Sequence, residues 1–428
     1  MTSFLQSIAP TDRDPTASFP RALHAGLPER FMFATGIECS NPTIDNGRVR
    51  RDLLLECGHY QHWRQDLALV KELGLTFLRY GLPYHLVHLG PGRYDWSFVD
   101  LAMAEMRRLG IEPILDLLHF GVPDWIGDFQ NPELPRYFAE YAGAVASRYP
   151  WVRYWTPVNE IYVSARMSTL DGLWNEQIRT DRAFVTGLKH LTAASKLACA
   201  AIVQVRPDAV IVHSESAEIV HEARLLPTEQ IRLANKQRFL ALDLLFAKRQ
   251  CGEMNRYLLE NGLTEAELAW FMRGEPAGQQ IVGADYYGRN EHIIKPCGKR
   301  FAIEDVIGWY LIAKDYIHRY GKPLMHTETN VLDPAAAPGW LWKQWISILR
   351  MRQDGMGVLG FTWYSLVDQV DWHLGLGELR GEVNGCGLYD MQRRPNPVAA
   401  EYRALIEEFR TLPLTPALAE AEERALVA

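Results

Sequence analysis

Two glutamates that each follow an apolar segment are the residues of this sequence best placed to do chemistry together. Glu160 ends an apolar run that begins at Trp151, and Glu328 lies two residues after His326 at the end of another such run. Two carboxyl groups on opposite sides of a substrate can serve as nucleophile and proton donor, or as base and acid. We therefore predict that Glu160 and Glu328 are a catalytic pair.

Alternating apolar and amphipathic segments predict the elements that position this pair. Strands are expected at 31–37, 76–80, 111–117, 152–158, 209–213, 281–285, 323–327 and 358–363. Helices are expected at 63–73, 95–109, 134–149, 181–205, 229–248, 303–320, 339–353 and from Pro397. Eight strands alternating with eight helices predict an α/β protein with a single (β/α)8 TIM barrel. The first strand is not followed by a glycine-rich nucleotide loop, which disfavours a doubly wound sheet.

The barrel is expected to occupy residues 29–412 as one catalytic domain. Residues 1–28 are rich in proline and polar residues, which predicts an N-terminal lead-in segment, and 413–428 are expected to form a C-terminal tail.

The composition and charge of the chain argue against a nucleic-acid or membrane partner. The 428 residues are 48% hydrophobic and carry a formal net charge of -7 without a polybasic cluster, so neither nucleic acid nor a membrane is an expected partner. No apolar run is long enough to span a bilayer and no signal-peptide core begins the chain, so a cytoplasmic protein is expected. The six cysteines form no close pair, and we predict no metal and no cofactor. Nothing in the sequence establishes an oligomeric state.

In a TIM barrel the chemistry lies where the strands end. The predicted strand ends and the loop after the last strand combine carboxylates with basic, amide and aromatic side chains. The candidates for substrate binding among them are Glu38, Arg79, His119, Asn159, Tyr287 and Trp363. A sugar needs many hydrogen-bonding groups, aromatic faces for its C–H groups and two carboxyl groups across the bond to be cut, so this set predicts a small-molecule glycoside substrate.

The surroundings predict different roles for the two glutamates. Strands four and seven face each other across the barrel, and Arg79 and Tyr287 beside Glu328 favour its charged form, as a nucleophile requires. Glu160 should hold its proton longer and act first as acid and then as base. Asn159 is expected to bind the sugar 2-hydroxyl.

Five segments resemble motifs of glycoside hydrolase family 1, or of a divergent offshoot, within the clan of retaining (β/α)8-barrel glycosidases. They are Leu118 to Pro123, similar to His-Trp-Asp-Leu-Pro; Tyr154 to Glu160, similar to Trp-x-Thr-Phe-Asn-Glu-Pro; Gly283 to Tyr287, similar to Gly-x-Asn-Tyr-Tyr; Tyr364 to Trp372, similar to Trp-Ser-Leu-x-Asp-Asn-Phe-Glu-Trp; and Gly387 to Asp390, similar to the start and end of Gly-Leu-x-x-Val-Asp. The resemblance implies a retaining β-glycosidase that forms a covalent glycosyl-enzyme, with His119 and Arg79 in the sugar subsite and Tyr287 near the nucleophile. It also adds Asp371 and Trp372 to the candidates for substrate binding.

Several family positions are changed. Glu38 stands about where the family has a glutamine, Asp371 is one methylene shorter than the family glutamate, and Ile161 replaces the proline after the acid. The phosphate-reading serine and Lys-x-Tyr pattern of the family does not follow Trp372. We therefore expect a non-phosphorylated glycone bound by altered contacts.

Three alternatives remain open from the sequence. The same residues could transfer the sugar to an acceptor other than water. A metal-dependent barrel hydrolase could be built on His119, Glu160 and His326. A catalytically silent barrel could bind a sugar or a partner protein without turnover.

Overall fold

A closed barrel of eight parallel strands is the centre of the structure, a computed structural model that describes residues 30–222, 228–295 and 300–414. The strands are β1 (Met32–Ile37), β2 (Phe77–Gly81), β3 (Glu112–Asp116), β4 (Tyr154–Thr156), β5 (Val210–Ser216), β6 (Gln279–Asp285), β7 (Leu324–His326) and β8 (Val358–Trp363). Each strand pairs with its neighbours in chain order, and β1 closes the ring by pairing with β8. The predicted TIM barrel is confirmed.

Fourteen helices lie within the described ranges. They are α1 (Leu53–Glu56), α2 (His59–Glu72), α3 (Tyr84–Val87), α4 (Ser97–Leu109), α5 (Leu134–Arg148), α6 (Ile161–Thr169), α7 (Asp181–Val205), α8 (Glu229–Gln237), α9 (Leu240–Leu245), α10 (Gly252–Glu260), α11 (Glu265–Phe271), α12 (Gly308–Tyr320), α13 (Ala337–Gln353) and α14 (Pro397–Phe409). Short strands in the loops are Thr43–Ile44, Val49–Arg50, His88–Gly90, Arg93–Tyr94, Ile219–His221, Glu291–Ile294, Arg300–Ala302, Gln369–Val370 and Val383–Asn384.

The segment between β5 and β6 differs from the sequence prediction. The single helix expected at 229–248 is divided into α8 and α9 at Arg238, whose guanidinium donates to the Glu218 carbonyl at 2.6 Å and to Asp315 at 2.7 Å. Two further helices, α10 and α11, follow. Thr264 begins α11 with a capping box in which Thr264 and Glu267 satisfy each other's backbone N–H groups.

Helix α4 illustrates why these segments fold as they do. Val99, Ala102, Met103 and Met106 recur at helical spacing and are buried against the barrel. Gly110 ends the helix with a φ of 64°, a left-handed conformation that glycine adopts without strain.

The interior of the barrel is filled from its amino-terminal end by apolar side chains. This inner cluster comprises Met32, Ala34, Phe77, Ile114, Tyr154, Val210, Val212, Ile281, Met325, Leu359 and Leu414. A larger apolar layer lies between the strands and the surrounding helices. Because the lower barrel is packed solid, a small molecule can enter only at the carboxyl ends of the strands.

The predicted lead-in segment, 1–28, lies outside the described residues, as does all of the predicted tail except Pro413 and Leu414. Arg30 pairs with Pro413 in an isolated β-bridge next to the first barrel strand. Across the described ranges, no helix has the length and apolar character required to cross a bilayer.

Candidate active site

A cavity of about 300 Å³ opens at the carboxyl ends of the strands. Both predicted catalytic glutamates line it, together with four residues predicted to bind substrate, namely Glu38, His119, Tyr287 and Trp372. We call Glu38, His119, Glu328 and Tyr364 the floor of the cavity, because each is at most 4% exposed.

Glu328 follows β7 and is bound by two donors. One carboxylate oxygen accepts from Nη1 of Arg79, and the other accepts from the Tyr287 hydroxyl at 2.7 Å. Arg79 is 1% exposed and Glu328 is 4% exposed, so the ion pair is shielded from water. A guanidinium and a hydroxyl thus hold the two oxygens of this buried carboxylate in place.

Arg79 also orients the residues beside it. Its Nη2 donates to the Asn159 side-chain oxygen at 2.7 Å, and Nη1 donates to the carbonyl of Thr327 at 3.2 Å. The Asn159 amide nitrogen lies 3.1 Å from Nε2 of His119. Arg79 and Asn159 are buried behind the cavity surface rather than part of its lining, so they position the floor residues.

Glu160 is in a different environment. Its backbone N–H donates to the Ser214 carbonyl at 2.9 Å, and it adopts a φ of 42° where the chain turns from β4 into α6. No hydrogen-bond donor contacts its carboxyl group within the described part of the chain. Burial raises the pKa of Glu160 well above its usual range, and the neighbouring carboxylates of Asp285 and Glu328 raise it further.

Glu38 is the other acid of the floor. Its carboxylate accepts from the Ser40 backbone N–H at 2.8 Å. Burial raises the pKa of Glu38, an effect that the nearby His119 partly opposes. The segment after β1 therefore places a carboxyl group at the floor of the cavity.

Besides Arg79 and Asn159, two more residues predicted to bind substrate, Trp363 and Asp371, do not line the cavity. Trp363 is fully buried and its indole N–H donates to the Cys386 carbonyl at 3.0 Å. Its neighbour Tyr364 lines the cavity instead, because adjacent residues along extended backbone point to opposite faces. This placement corrects the assignment of Trp363.

Asp371 binds the backbone of its own loop. Its carboxylate accepts the backbone N–H groups of Arg380, Gly381 and Glu382 at 2.8–2.9 Å and lies 3.3 Å from a guanidinium nitrogen of Arg51. Being fully buried, it has no free oxygen to offer a sugar. The assignment of Asp371 to substrate binding is thus corrected as well: it holds the loop that carries Trp372.

One cluster of possible metal ligands is adjacent to the floor. Ligand atoms of Cys39, Asp116 and His119 lie within 4.8 Å of one another. Nδ1 of His119 is 2.9 Å from the Asp116 carboxylate and 3.3 Å from the Cys39 sulfur, so this one nitrogen contacts both of the other side chains. The metal hydrolase alternative is not supported, because the His326 ring stacks on Trp309 outside the cavity.

The sequence reasoning missed several cavity residues. Phe120 and Trp174 form an apolar wall, with ring centroids 4.5 Å apart, and three arginines line the opposite side and the mouth. Phe120 could have been identified, since it follows His119 in a recognised motif. The arginines belong to α6 and to the loop after β6, and no local pattern distinguishes them from surface arginines.

Comparisons with known proteins agree with this architecture. The sequence profile of glycosyl hydrolase family 1 matches residues 43–274, which is more than half of the chain and includes Glu160. A 6-phospho-β-glucosidase from Dickeya chrysanthemi is 23% identical over 355 residues, 73% of this chain and 76% of that protein. A 6-phospho-β-galactosidase from Staphylococcus aureus is 30% identical over 157 residues, 32% of this chain and 33% of that protein.

Solved structures show the same fold. The β-glucosidase from Thermotoga maritima in complex with castanospermine superposes with a TM-score of 0.73 at 17% identity, and the match covers 89% of this chain and 98% of the other. The complex of the same enzyme with deoxynojirimycin gives the same values.

Proposed function

This chain belongs to glycosyl hydrolase family 1 and is a retaining β-glycosidase-like glycoside hydrolase; on that premise we propose that it hydrolyses a β-linked glycoside with Glu328 as the nucleophile and Glu160 as the general acid and base. The observation that carries the proposal is the contrast between the two carboxyl groups. Glu328 is bound by Arg79 and Tyr287, whereas burial and neighbouring acids raise the pKa of Glu160.

The first step breaks the glycosidic bond. A carboxylate oxygen of Glu328 attacks the anomeric carbon while Glu160 gives its proton to the departing oxygen. The leaving group departs as an alcohol or phenol, and the sugar remains as an ester on Glu328. Arg79 and Tyr287 hold the nucleophile in position, so little reorganisation is needed when its charge is transferred to the sugar.

The second step reverses these roles. Glu160, now ionised, removes a proton from water, and the oxygen of that water attacks the anomeric carbon and displaces Glu328. The two inversions together retain the β configuration. Transfer to another acceptor uses the same step, with an acceptor hydroxyl in place of water.

We further propose that the glycone carries no phosphate. Glu38 and Glu328 both lie on the floor of the cavity, and the guanidinium of Arg79 behind it is bound to Glu328. A phosphate placed beside these carboxyl groups would be repelled. Asp371 binds backbone N–H groups and Arg51 in this chain, so the loop after β8 is also arranged differently from a phosphate-binding loop that donates hydrogen bonds to the substrate.

Replacement of the nucleophile tests the proposal. Glu328→Gly should abolish release of the phenol from a panel of activated aryl β-glycosides, and azide should restore turnover as an α-glycosyl azide, because the small anion attacks from the vacated side. Glu105→Gln, on the surface of α4, is the matched control and should retain full activity. Full activity of Glu328→Gly would contradict the proposal. Preferential turnover of 6-phosphorylated members of the panel would contradict the unphosphorylated glycone.

A further inference from the structure

Arg289 is a cation at the mouth of the cavity that the proposed chemistry does not use. It follows Tyr287 by two residues and lines the cavity with its side chain exposed, whereas Tyr287 is 8% exposed. Its guanidinium lies 5.6 Å from the ring of Trp372 and donates to the Trp372 carbonyl at 3.3 Å. Arg289 therefore lies farther out than the buried floor.

No carboxylate neutralises Arg289 within the described ranges. Partial desolvation lowers the pKa of the guanidinium, and no neighbouring acid opposes this effect. The two internal segments outside the described ranges, 223–227 and 296–299, contain no Asp or Glu in their sequences, so neither supplies a partner. An arginine with free N–H donors that faces a cavity is a site for an anionic oxygen group.

The two other arginines of the cavity wall are paired with acids. Arg166 and Arg300 share the buried carboxylate of Glu218, at 2.9 and 3.2 Å, and Arg166 is 3.5 Å from Asp171. The formal charges of this group cancel, because the two arginines, Arg166 and Arg300, are balanced by two acids, Glu218 and Asp171. The charge of Arg289 therefore remains uncompensated.

His292 lies on the same wall and contributes no charge. Burial lowers its pKa to about 4, and its Nδ1 is buried with no hydrogen-bond partner. One polar atom of this wall thus lacks a partner within the protein.

The part of the substrate that reaches this region is the leaving group. The sugar ring must occupy the floor, because the anomeric carbon has to lie between Glu328 and Glu160. The departing oxygen is on the side of Glu160, whose helix α6 carries Arg166 into the same wall. Beyond that oxygen the substrate continues toward the exposed mouth and Arg289.

We propose that the leaving group of the natural substrate carries an anionic oxygen group, a carboxylate or a phosphate, that binds Arg289. This inference rests on the proposed β-glycosidase function and names the substrate class within it. The guanidinium fork donates two parallel N–H bonds to such a group, and Trp372 supplies a face against which an aromatic or sugar leaving group packs. A charged hydrogen bond at a partly exposed site corresponds to about a tenfold preference.

Matched substrate pairs test this inference. For the wild-type protein, kcat/KM is measured on a 4-carboxyphenyl and a 4-carbamoylphenyl β-glycoside of one sugar, which differ in charge. A second pair, the 4-phosphonooxyphenyl and 4-methoxyphenyl glycosides of that sugar, distinguishes a phosphate site from a carboxylate site. Arg289→Gln should lower kcat/KM about tenfold for the carboxylate or the phosphate substrate, whichever Arg289 binds. It should leave kcat/KM for the two neutral substrates unchanged. The preference should also weaken as ionic strength rises.

Arg64→Gln is the matched control, because Arg64 is exposed on α2 and lies over Trp63 at 4.1 Å, away from the cavity. It should leave the ratio of anionic to neutral kcat/KM unchanged. An equal loss on all substrates in Arg289→Gln would assign Arg289 to holding Trp372, and a loss confined to 6-phosphoglycosides would place the anion on the glycone. Either result overturns the inference.

The β-glycosidase proposal can fail separately. Absence of turnover on every neutral and anionic glycoside would contradict that proposal. Turnover of neutral glycosides with the same anionic-to-neutral ratio in wild type and Arg289→Gln would contradict only the inference about Arg289.

Discussion

Glu160 and Glu328 carry the same functional group, and their neighbours differ. Arg79 and Tyr287 donate to Glu328, while Glu160 is buried without a donor within the described residues and near other acids. Burial and these acids raise the pKa of Glu160. At the residue scale, then, the proposed division of roles depends on the neighbours of the two glutamates rather than on the glutamates themselves.

The raised pKa of Glu160 predicts the alkaline limb of the pH profile. For a substrate with a poor leaving group, kcat/KM should fall as pH rises through the pKa of Glu160, because the proton donor is lost, and the midpoint should lie above the ordinary range of a glutamate. Glu160→Ala with a 2,4-dinitrophenyl leaving group, which needs no proton, should lose this limb. An alkaline limb that persists in Glu160→Ala would assign it to another group.

At the scale of single residues, the sequence predicts most of the residues that line the centre of the site. Glu160, Glu328, His119 and Tyr287 were predicted to share a site because carboxyl ends of parallel strands meet at one edge of a barrel, and all four line the cavity. Trp363 is buried and its neighbour Tyr364 lines the cavity, because a single-residue step along extended backbone turns a side chain to the other face. The end of β8 matches the prediction, but the face of each side chain there does not follow from it.

Among the elements, the loop after β8 decides how the outer cavity is shaped. Asp371 adopts a φ of 53° and gathers three backbone N–H groups from 380–382, while Arg51 bonds to the carbonyls of Leu376 and Glu378. The contacts of Asp371 join residues nine to eleven positions apart, and those of Arg51 join residues more than 300 apart, so no local motif predicts them. The loop holds Trp372 at the cavity.

Removal of the Asp371 carboxylate should loosen this loop. Asp371→Ala leaves three backbone N–H groups and part of Arg51 without an acceptor, so we expect the free energy of unfolding to fall by about 2–4 kcal/mol. KM should rise more than kcat falls, because Trp372 lines the cavity and has no part in the proposed bond breaking. Urea unfolding and steady-state kinetics measure the two effects.

Asp390→Ala is the matched control for the loop. Asp390 likewise accepts loop backbone N–H groups, from Gln392 and Arg394, but it lies at the surface. Its removal should leave KM unchanged and lower stability less. Equal effects of the two substitutions, or an unchanged KM in Asp371→Ala, would contradict the role given to the loop.

Across the whole molecule, the carboxyl ends of the strands concentrate buried acids. Burial raises the pKa values of Glu38, Glu160, Glu215 and Asp285, and that of Glu215 reaches about 8 although its carboxylate accepts the Tyr162 backbone N–H. The apolar lower barrel and helix layer must offset the cost of burying this group. Catalytic capacity and stability therefore oppose each other at this end of the barrel.

Stability should consequently fall as pH rises. Between about pH 5 and 8 the folded state keeps the proton of Glu215 that the unfolded chain has lost, so folding binds a proton and the free energy of unfolding decreases until pH passes about 8. Glu215→Gln cannot ionise and should flatten part of this fall. Denaturant titrations at pH 5 and pH 8 measure the difference.

Glu105→Gln serves as the control for this comparison. Glu105 pairs with Arg108 on the surface, and its lowered pKa places its titration below pH 5, so wild type and control should show the same change between pH 5 and 8. If the free energy of unfolding falls by the same amount between pH 5 and 8 in Glu215→Gln as in wild type, Glu215 is not a source of the fall.

The most direct test of the account is the identity of the residue that becomes covalently attached to the sugar. A 2,4-dinitrophenyl 2-deoxy-2-fluoro-β-glycoside, chosen from a set that varies the sugar, traps the glycosyl-enzyme because fluorine slows its hydrolysis, and peptide mapping by mass spectrometry locates the label. We predict that inactivation is accompanied by one equivalent of sugar on Glu328. A label on Glu38, Glu160 or Asp285 would contradict the assignment of Glu328 as the nucleophile.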